Sequence, residues 1–409
     1  MGVSRPDPAG RQGGRLLGRR GRYRGVSAAN GSASPVRGHG GLLSRPGEAE
    51  PDGLTASGPP VRRQLEHEVD RSWLWKGLHA KHVDGFTFTL PDTPANQEAF
   101  PQIGAQRPGV GLPIARVCAV LSLASACVCD VGIGPYEGKE TGENALLRGL
   151  LDTFEENDVV VFDRYYCSFM MLALLSQRRL NVCTRLHQRR HSDFRRGRRL
   201  GPGDHLVTWT RPEKPSQWMS KEQDDQIPET LTLREVKFHV SVPGCRTETI
   251  TIVTTLTDPQ KYSREDLAEL YGFRWNAELD IRQIKQTLHL DHVRCKTPQM
   301  VRRELWVTLL AYNLIRQGIA TSAALHQKQP RHLGFTLACQ SLLASWMLFS
   351  TGSCSDSRAM YRMILAHIAA NEVADRPGRI EPRVLKRRRH HYPLMQRPRE
   401  QLRAELRKT

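Results

Sequence analysis

Between Tyr271 and Lys285 the chain concentrates side chains that could do chemistry together. Tyr271, Arg274, Glu278, Arg282 and Lys285 follow one another at steps of 3, 4, 4 and 3, which on a helix sets all five on one face. Leu279, Ile281 and Ile284 fall largely to the other side, where a core can take them. A carboxylate among two guanidinium groups, an ammonium and a phenol suits a site that meets both a divalent metal and phosphates. The plainer alternative is a solvated helix laced with i,i+4 ion pairs. It accounts for the charges, but not for Tyr271 and Trp275 among them.

The elements that must position this segment are legible in coarse form. Lys81 to Leu90 alternates apolar and polar residues like a half-buried strand. Pro91 to Gly111 reads as a loop. Val117–Ala124 and Ala126–Val131 read as adjacent antiparallel strands, and Glu143–Phe154 has helical spacing. The run from Asp158 to Phe162, ending at Asp163, suits a central strand buried on both faces. Ser168–Gln177 reads as the next helix. Residues 202–256 turn β-rich, with strands around Val236–Val242 and Thr249–Val253 and a hairpin turn at Pro243-Gly244. A capping box, Ser263 to Asp266, opens a helical region that continues through Met300–Gln317 and Leu337–Phe349. The expected fold is thus α/β, interrupted by a β-rich insertion before its last site-bearing helix.

Lys plus Arg total 60 against 42 acids in 409 residues, a net charge of +18. The excess sits in three places: residues 1–60 net +5, residues 185–201 net +6 and residues 376–409 net +9, leaving the rest at −2. Three basic attachments on a near-neutral body point to phosphate contact, so DNA is the expected partner. No apolar run reaches the roughly 18–20 residues that span a bilayer, and no secretory leader is visible, so a cytoplasmic, nucleoid-associated protein is expected. Nine cysteines without a CxxC pair or Cys/His spacing argue against a zinc module or a disulfide scaffold. Residues 1–60 hold fourteen Gly and seven Pro, too little apolar material to form a core. They read as disordered, either a basic arm or a mis-started or frameshifted translation.

The spacing Tyr271-x2-Arg274-x3-Glu278-x6-Lys285 resembles the signature of bacterial DDE-class insertion-sequence transposases, in the family named after insertion sequence four. Val83-Asp84-Gly85, Pro91 to Gln97, Gly138 to Glu143, Phe162 to Tyr166 and Pro377 to Arg383 are similar to further family segments. The likeness runs over roughly residues 64–400. It implies an RNase H-like mixed sheet with flanking helices, in which Asp84, Asp163 and Glu278 converge as catalytic and metal-binding residues on two Mg²⁺ ions, with Mn²⁺ as a substitute. It implies cleavage at transposon ends and strand transfer into target DNA by a homodimer on DNA. Tyr271, Arg274 and Lys285 would hold phosphates, and Trp275 would stack an extruded base or else pack in the core. Arg164 would reach a phosphate or pair with its neighbouring acid. Arg189, Arg190, Arg195, Arg196, Arg198 and Arg199 would contact DNA backbone, as would Lys386 to Arg389.

The expected organisation is a disordered segment over 1–63, the first part of the catalytic core over 64–184 and a β-rich insertion over 185–256. The second part of the core follows over 257–350, and a basic C-terminal region over 351–409. Three departures from the family pattern stand out. Phe86 replaces a usual Thr beside the first Asp, where its ring could disturb the site. The first sixty residues lack the helical end-recognition domain of relatives. Asp280 adds an acid on a different helix face from Glu278. Alternatives to an active transposase are a catalytically impaired DNA-binding relic, an RNase H-like nuclease or resolvase, and a non-enzymatic basic scaffold.

Overall fold

The computed structural model describes residues 69–214, 218–240, 248–352, 356–373 and 395–407. The readings made for residues 1–68, for the turn at Pro243-Gly244, for 377–383 and for Lys386 to Arg389 lie outside the described residues.

In chain order the elements are β1 (Ala80–Thr89), α1 (Pro94–Ala99), β2 (Ile114–Ser122), β3 (Val128–Pro135), α2 (Glu143–Arg148), β4 (Val159–Phe162), α3 (Phe169–Gln177) and β5 (Asn181–Arg185). The insertion adds β6 (Arg198–Gly201), β7 (Asp204–Thr210), α4 (Lys221–Asp225), β8 (Thr230–Val240) and β9 (Glu248–Thr254). Then come α5 (Arg264–Gly272), α6 (Trp275–Arg282), α7 (Pro298–Leu325), α8 (Phe335–Ser350), α9 (Ser357–Ala370) and α10 (Arg399–Leu406).

The nine strands among the described residues form one mixed sheet in the order β3-β2-β1-β4-β5-β9-β8-β7-β6. β1 is antiparallel to β2 and parallel to β4, and β4 is parallel to β5. This is the RNase H-like arrangement expected. The inserted strands continue the same sheet, because β9 pairs antiparallel with β5 from Cys183↔Thr254 to Arg185↔Ile252.

Period-two alternation sends successive β1 and β4 residues to opposite faces. Val83, Val160 and Phe162 join a cluster with Leu147, Leu172 and Leu175, so α2 and α3 cover one face. Ala80, Val159 and Val161 pack instead with Leu267 and Leu270 of α5. On that side Phe86 and Phe88 meet Ala277, Ile281, Leu305 and Leu309 of α6 and α7. Phe86 is therefore a core residue, 7% exposed, and its ring is spent on packing beneath α6.

Local chemistry explains most boundaries. Ser263 Oγ accepts from the Asp266 amide at 3.1 Å and Asp266 Oδ2 from the Ser263 amide at 2.8 Å, closing the expected capping box. The helix expected from Glu143 to Phe154 stops at Arg148, with Gly149 at its cap and a 3-10 turn over Leu151–Thr153. The Pro91–Gly111 loop contains α1, started by Pro94 and capped by Thr93, whose hydroxyl donates to the Lys296 carbonyl at 2.8 Å. Asn96 Nδ2 donates to the Cys295 carbonyl at 3.2 Å, so this loop ties the exit of β1 to the chain beyond α6. Among the described residues no helix is long and apolar enough to cross a membrane.

Candidate active site

β1 pairs with β2 along its length, but with β4 only from Ala80↔Val159 to Val83↔Phe162. The next residue on each strand is an acid, so Asp84 and Asp163 stand side by side where β4 ends and β1 runs on. Such a parting of strands, at the carboxyl ends of a parallel pair, is where open α/β sheets place their ligands. Continuing the alternation puts both acids on the face covered by α5.

Each acid is held by backbone. Asp84 Oδ1 accepts from the Gly85 amide at 2.9 Å, and Asp163 Oδ1 from the Tyr165 amide at 2.7 Å. The Asp163 carbonyl also takes the Thr184 hydroxyl of β5 at 3.0 Å. Burial pushes the Asp84 carboxyl up to about 6; Asp163 and Glu143 add to the rise, against the pull of the Gly85 amide and Arg274. Arg164 is exposed, and no ion pair joins it to Asp163 among the described residues.

The helix expected to carry Tyr271 to Lys285 is not continuous. α5 ends at Gly272, a tight turn with Arg274 N bonded to the Tyr271 carbonyl at 3.1 Å follows, and α6 begins at Trp275. Beyond Arg282 the helix widens into a π turn, Gln283–Thr287, that carries Lys285. Single π turns of this kind recur at functional sites. The five side chains thus do not share one regular face; Arg274 and Tyr271 lie near the aspartates. Arg274 Nη2 pairs with Glu278 Oε1 at 2.9 Å, and Arg274 is close enough to Asp84 to oppose the rise in its pKa. Burial pushes the Tyr271 phenol up to about 12, opposed by Arg274 and Arg185 and reinforced by Asp163. Lys285 Nζ donates to the Thr87 carbonyl of β1 at 2.9 Å.

One expectation about packing is corrected. Leu279 is 43% exposed, because two residues of regular helix turn by about 200° and set it opposite the buried Ile281 of α6. Asp280, on a different helix face from Glu278, is 1% exposed and bridges Arg316 of α7 at 2.8 Å and Arg331 at 3.1 Å. Trp275 does not pack in the core: it is 62% exposed, with the Arg274 guanidinium 4.9 Å from its ring.

The arginine loop of the insertion is pinned rather than loose. His205 and Glu235 are buried side by side, with Nε2 and Oε2 3.2 Å apart. Glu235 also accepts from Trp209 Nε1 at 2.8 Å and from the Ser192 hydroxyl of the loop. His205 Nδ1 meets the Arg196 carbonyl at 2.7 Å, and Arg190 stacks over Trp209 at 4.0 Å. Gly197, at φ +76°, cannot carry a side chain, because a Cβ would lie 2.0 Å from the Leu206 carbonyl oxygen. Arg189, Arg195, Arg196, Arg198 and Arg199 are exposed, and Arg195 is forked onto Asp193 at 2.9 and 3.1 Å. The base of the loop lies near the active corner. Burial pushes the Cys167 thiol up to about 12, and Arg190 is near enough to oppose it; Cys167 follows Asp163 by four residues.

Three residues at the corner were not singled out by their sequence. Glu143, at the start of α2, has a carboxyl raised by burial and by Asp163. Arg185 of β5 faces Tyr271. His82 precedes Asp84 by two residues on the same strand face. It is fully buried, and neither ring nitrogen has a hydrogen-bond partner among the described residues. Burial, with Arg331 and Arg274 nearby, holds its pKa well below the ordinary value, so it fills space as a neutral ring.

Among the described residues no three His, Cys, Asp or Glu side chains stand at metal-ligand spacing; the Glu278 carboxylate is engaged by Arg274 instead. The donor set nevertheless fits a hard divalent cation. Carboxylate oxygens are what Mg²⁺ prefers, and two partly buried acids on adjoining strand ends repel each other until a cation joins them.

Comparison with known proteins agrees with this geometry. The family model for a transposase DDE domain matches residues 81–314, from β1 into α7, a span that holds every residue of the corner. Transposase InsG of insertion sequence element IS4, from Escherichia coli (strain K12), is 29% identical over 335 residues, covering 81% of this chain and 72% of that protein. The transposase of insertion sequence element IS421 from Escherichia coli is 36% identical over 66 residues, 16% of this chain and 18% of that protein. A solved piggyBac transposase synaptic complex with hairpin DNA overlays at a TM-score of 0.39 and 9% identity, over 78% of this chain and 65% of that one, too remote a likeness to carry any argument. The family match spans more than half of the chain and the whole of the acidic corner: the protein belongs to the DDE transposases, in the family of insertion sequence IS4, and is a DNA transposase.

Proposed function

We propose that Asp84, Asp163 and Glu278 hold two divalent cations, Mg²⁺ or Mn²⁺, and that the protein cuts phosphodiester bonds at the ends of its element and joins them to target DNA as a homodimer. The observation that carries this reading is the register of β1 and β4, which leaves the two aspartates adjacent where the strands part. When bound, such a pair of ions activates the attacking oxygen and stabilises the leaving one in an in-line displacement. Water attacks in the first nick and a DNA 3′-hydroxyl in strand transfer, so no covalent protein intermediate is needed.

The chain's own residues supply the rest. Glu278 is parked on Arg274, which keeps both side chains at the corner. As Glu278 turns to join the aspartates, Arg274 is released to fork a phosphate, its natural planar partner. Tyr271 and Lys285 bracket the same phosphates, and exposed Trp275 offers an indole for a base drawn out of the duplex, a contact worth about 1–3 kcal/mol. Arg164 and the arginines of the insertion, Arg189, Arg190, Arg195, Arg196, Arg198 and Arg199, hold backbone and set position without reading sequence. In this division of labour residues 64–184 and 257–350 form the cutting core, and 185–256 guide the DNA.

The test is a nicking assay on a plasmid carrying the gene's own flanking DNA, with Mg²⁺ or Mn²⁺. Wild type, Asp163→Ala, Glu278→Ala and a shortened protein beginning at Gln64 are compared. Breaks at the element's ends that need metal and vanish in both substitutions are expected. Cleavage that survives in both would refute the assignment of the acids, and DNA binding without cleavage in wild type would mark an impaired relic.

A second measurement isolates the insertion. Arg198→Glu with Arg199→Glu should weaken binding to all DNA sequences about equally. The slope of log affinity against log salt should become shallower by about 2, at roughly 0.9 per lost phosphate contact. An unchanged slope would remove β6 from the interface.

A further inference from the structure

We propose that Glu143 is a fourth carboxylate of the metal site, binding a divalent cation together with Asp84 and Asp163. This rests on the assignment of those acids as cation ligands and extends it by one side chain that the three-acid signature omits.

Gly85 follows Asp84 in β1, and a Cβ placed on it would lie 2.2 Å from Glu143 Cδ and 2.4 and 2.6 Å from the two carboxylate oxygens. No real Cβ comes that close to another heavy atom, so the Glu143 carboxylate is pressed against the strand backbone at the residue after Asp84, approaching from the α2 face, and a shared cation would sit at the open edge of β1 beyond the end of β4. Glycine is what makes room for it, and any larger residue at position 85 would displace the acid. The placement is held from the far side. Tyr166, buried at 1% exposure, donates its hydroxyl to Glu143 Oε2 at 3.1 Å. That hydroxyl lies 3.8 Å from Cys118 Sγ, and Cys118 is the β2 residue paired with Gly85. Among the described residues Oε2 alone is engaged in this way, which leaves Oε1 for another partner.

The charge is only partly answered, by Arg116, which opposes the rise that burial causes in the Glu143 carboxyl. No ion pair joins Glu143 to a lysine or arginine among the described residues, while Arg274 is already committed to Glu278. Three carboxylates thus gather around the end of β4, partly out of water, with Arg274 and Arg116 offsetting them only in part. Acids crowded in that way favour either a proton or a cation that joins them. A structural role for Glu143 as a first-turn acid is the alternative, but a helix of six residues has little dipole to satisfy and gives no reason to lay the carboxylate on Gly85.

The test measures Mn²⁺ affinity of the purified full-length protein from the electron-paramagnetic-resonance signal of free Mn²⁺. It compares wild type with Glu143→Gln, Gly85→Ala and Asp163→Asn. Glutamine keeps the shape and can still accept from Tyr166, and alanine at 85 displaces the carboxylate while leaving every acid in the chain. Thermal unfolding in EDTA shows which variants are folded, and either of the first two suffices. About tenfold weaker binding is expected for Glu143→Gln and for Gly85→Ala, and at least as large a loss for Asp163→Asn. Wild-type affinity in the first two with a loss in Asp163→Asn would overturn the role of Glu143 and leave the three-acid assignment standing. Wild-type affinity in all three would overturn both.

Discussion

Asp84→Asn is expected to lose about 10³-fold or more in cleavage rate and, at the same time, to make the metal-free protein more stable. The rate loss follows from removing one of two acids that adjoin where β1 and β4 part, since such a ligand secures several kcal/mol of transition-state stabilisation. The stability gain follows from the state of that carboxyl in the folded chain. Its pKa is pushed up to about 6 by burial first, with Asp163 and Glu143 adding to it, whereas an unfolded aspartate titrates near 3.9. The folded protein therefore holds this proton more tightly than the unfolded chain does. Ionising Asp84 costs nothing below about pH 4, costs more and more between about pH 4 and 6, and costs a constant amount above that. The full shift corresponds to about 3 kcal/mol; with allowance for screening at a partly open site, a gain of about 1–2 kcal/mol is expected at pH 7. Urea unfolding of both proteins in EDTA between pH 4 and 8 measures it. The difference should be largest at neutral pH and should vanish as the pH falls towards 4. A variant no more stable than wild type at pH 7 would show that the corner carries no such strain.

Asp280→Ala should destabilise the fold by about 3–5 kcal/mol, the usual consequence of stripping one partner from a buried ion pair. Asp280 and Arg316 are 1% and 3% exposed at their side chains, and Asp280 also takes Arg331. Arg316 Nε is 2.9 Å from the Tyr312 hydroxyl, and Arg331 Nη2 donates to the Ser122 carbonyl at 2.8 Å. One carboxylate thus locks α6 to α7 and to the end of β2. Without it two guanidinium groups face each other out of water. Because Asp280 lies two residues beyond Glu278, Asp280→Asn, which keeps the shape, should fold but should misplace Glu278 and slow cleavage more than it weakens DNA binding. Chemical denaturation gives the first number, and a loss under about 1 kcal/mol in Asp280→Ala would mean that the network is dispensable.

Much of this molecule could be read along the chain, because its signals are local. Alternation marked β1, an unbroken apolar run marked β4 as central, and the Ser263/Asp266 pattern marked the start of α5. The spacing of Tyr271, Arg274, Glu278 and Lys285 marked the chemistry, although it implied one regular helix. The turn at Phe273 and the π turn at Gln283–Thr287 break that regularity, and neither has a local signature strong enough to announce it. α1 and β5 went unseen for the same reason: each is short, and tertiary contacts complete it, through hydrogen bonds donated to the Lys296 and Cys295 carbonyls and through pairing with β9.

By itself the order of residues marked most of the longer elements, the β-rich insertion, the basic segments and the acids Asp84, Asp163 and Glu278 as the groups to watch. Only the tertiary structure decided what surrounds them. The adjacency of Asp84 and Asp163 depends on where β4 stops pairing with β1. The pairing of Glu278 with Arg274, the burial of Asp280 between two arginines and the seating of Glu143 on Gly85 join residues that no sequence period relates. The physical reason is that hydrophobic periodicity records which face of an element turns inward. Charge partners and carboxylate neighbours are set by the packing of whole elements, which a one-dimensional pattern does not encode.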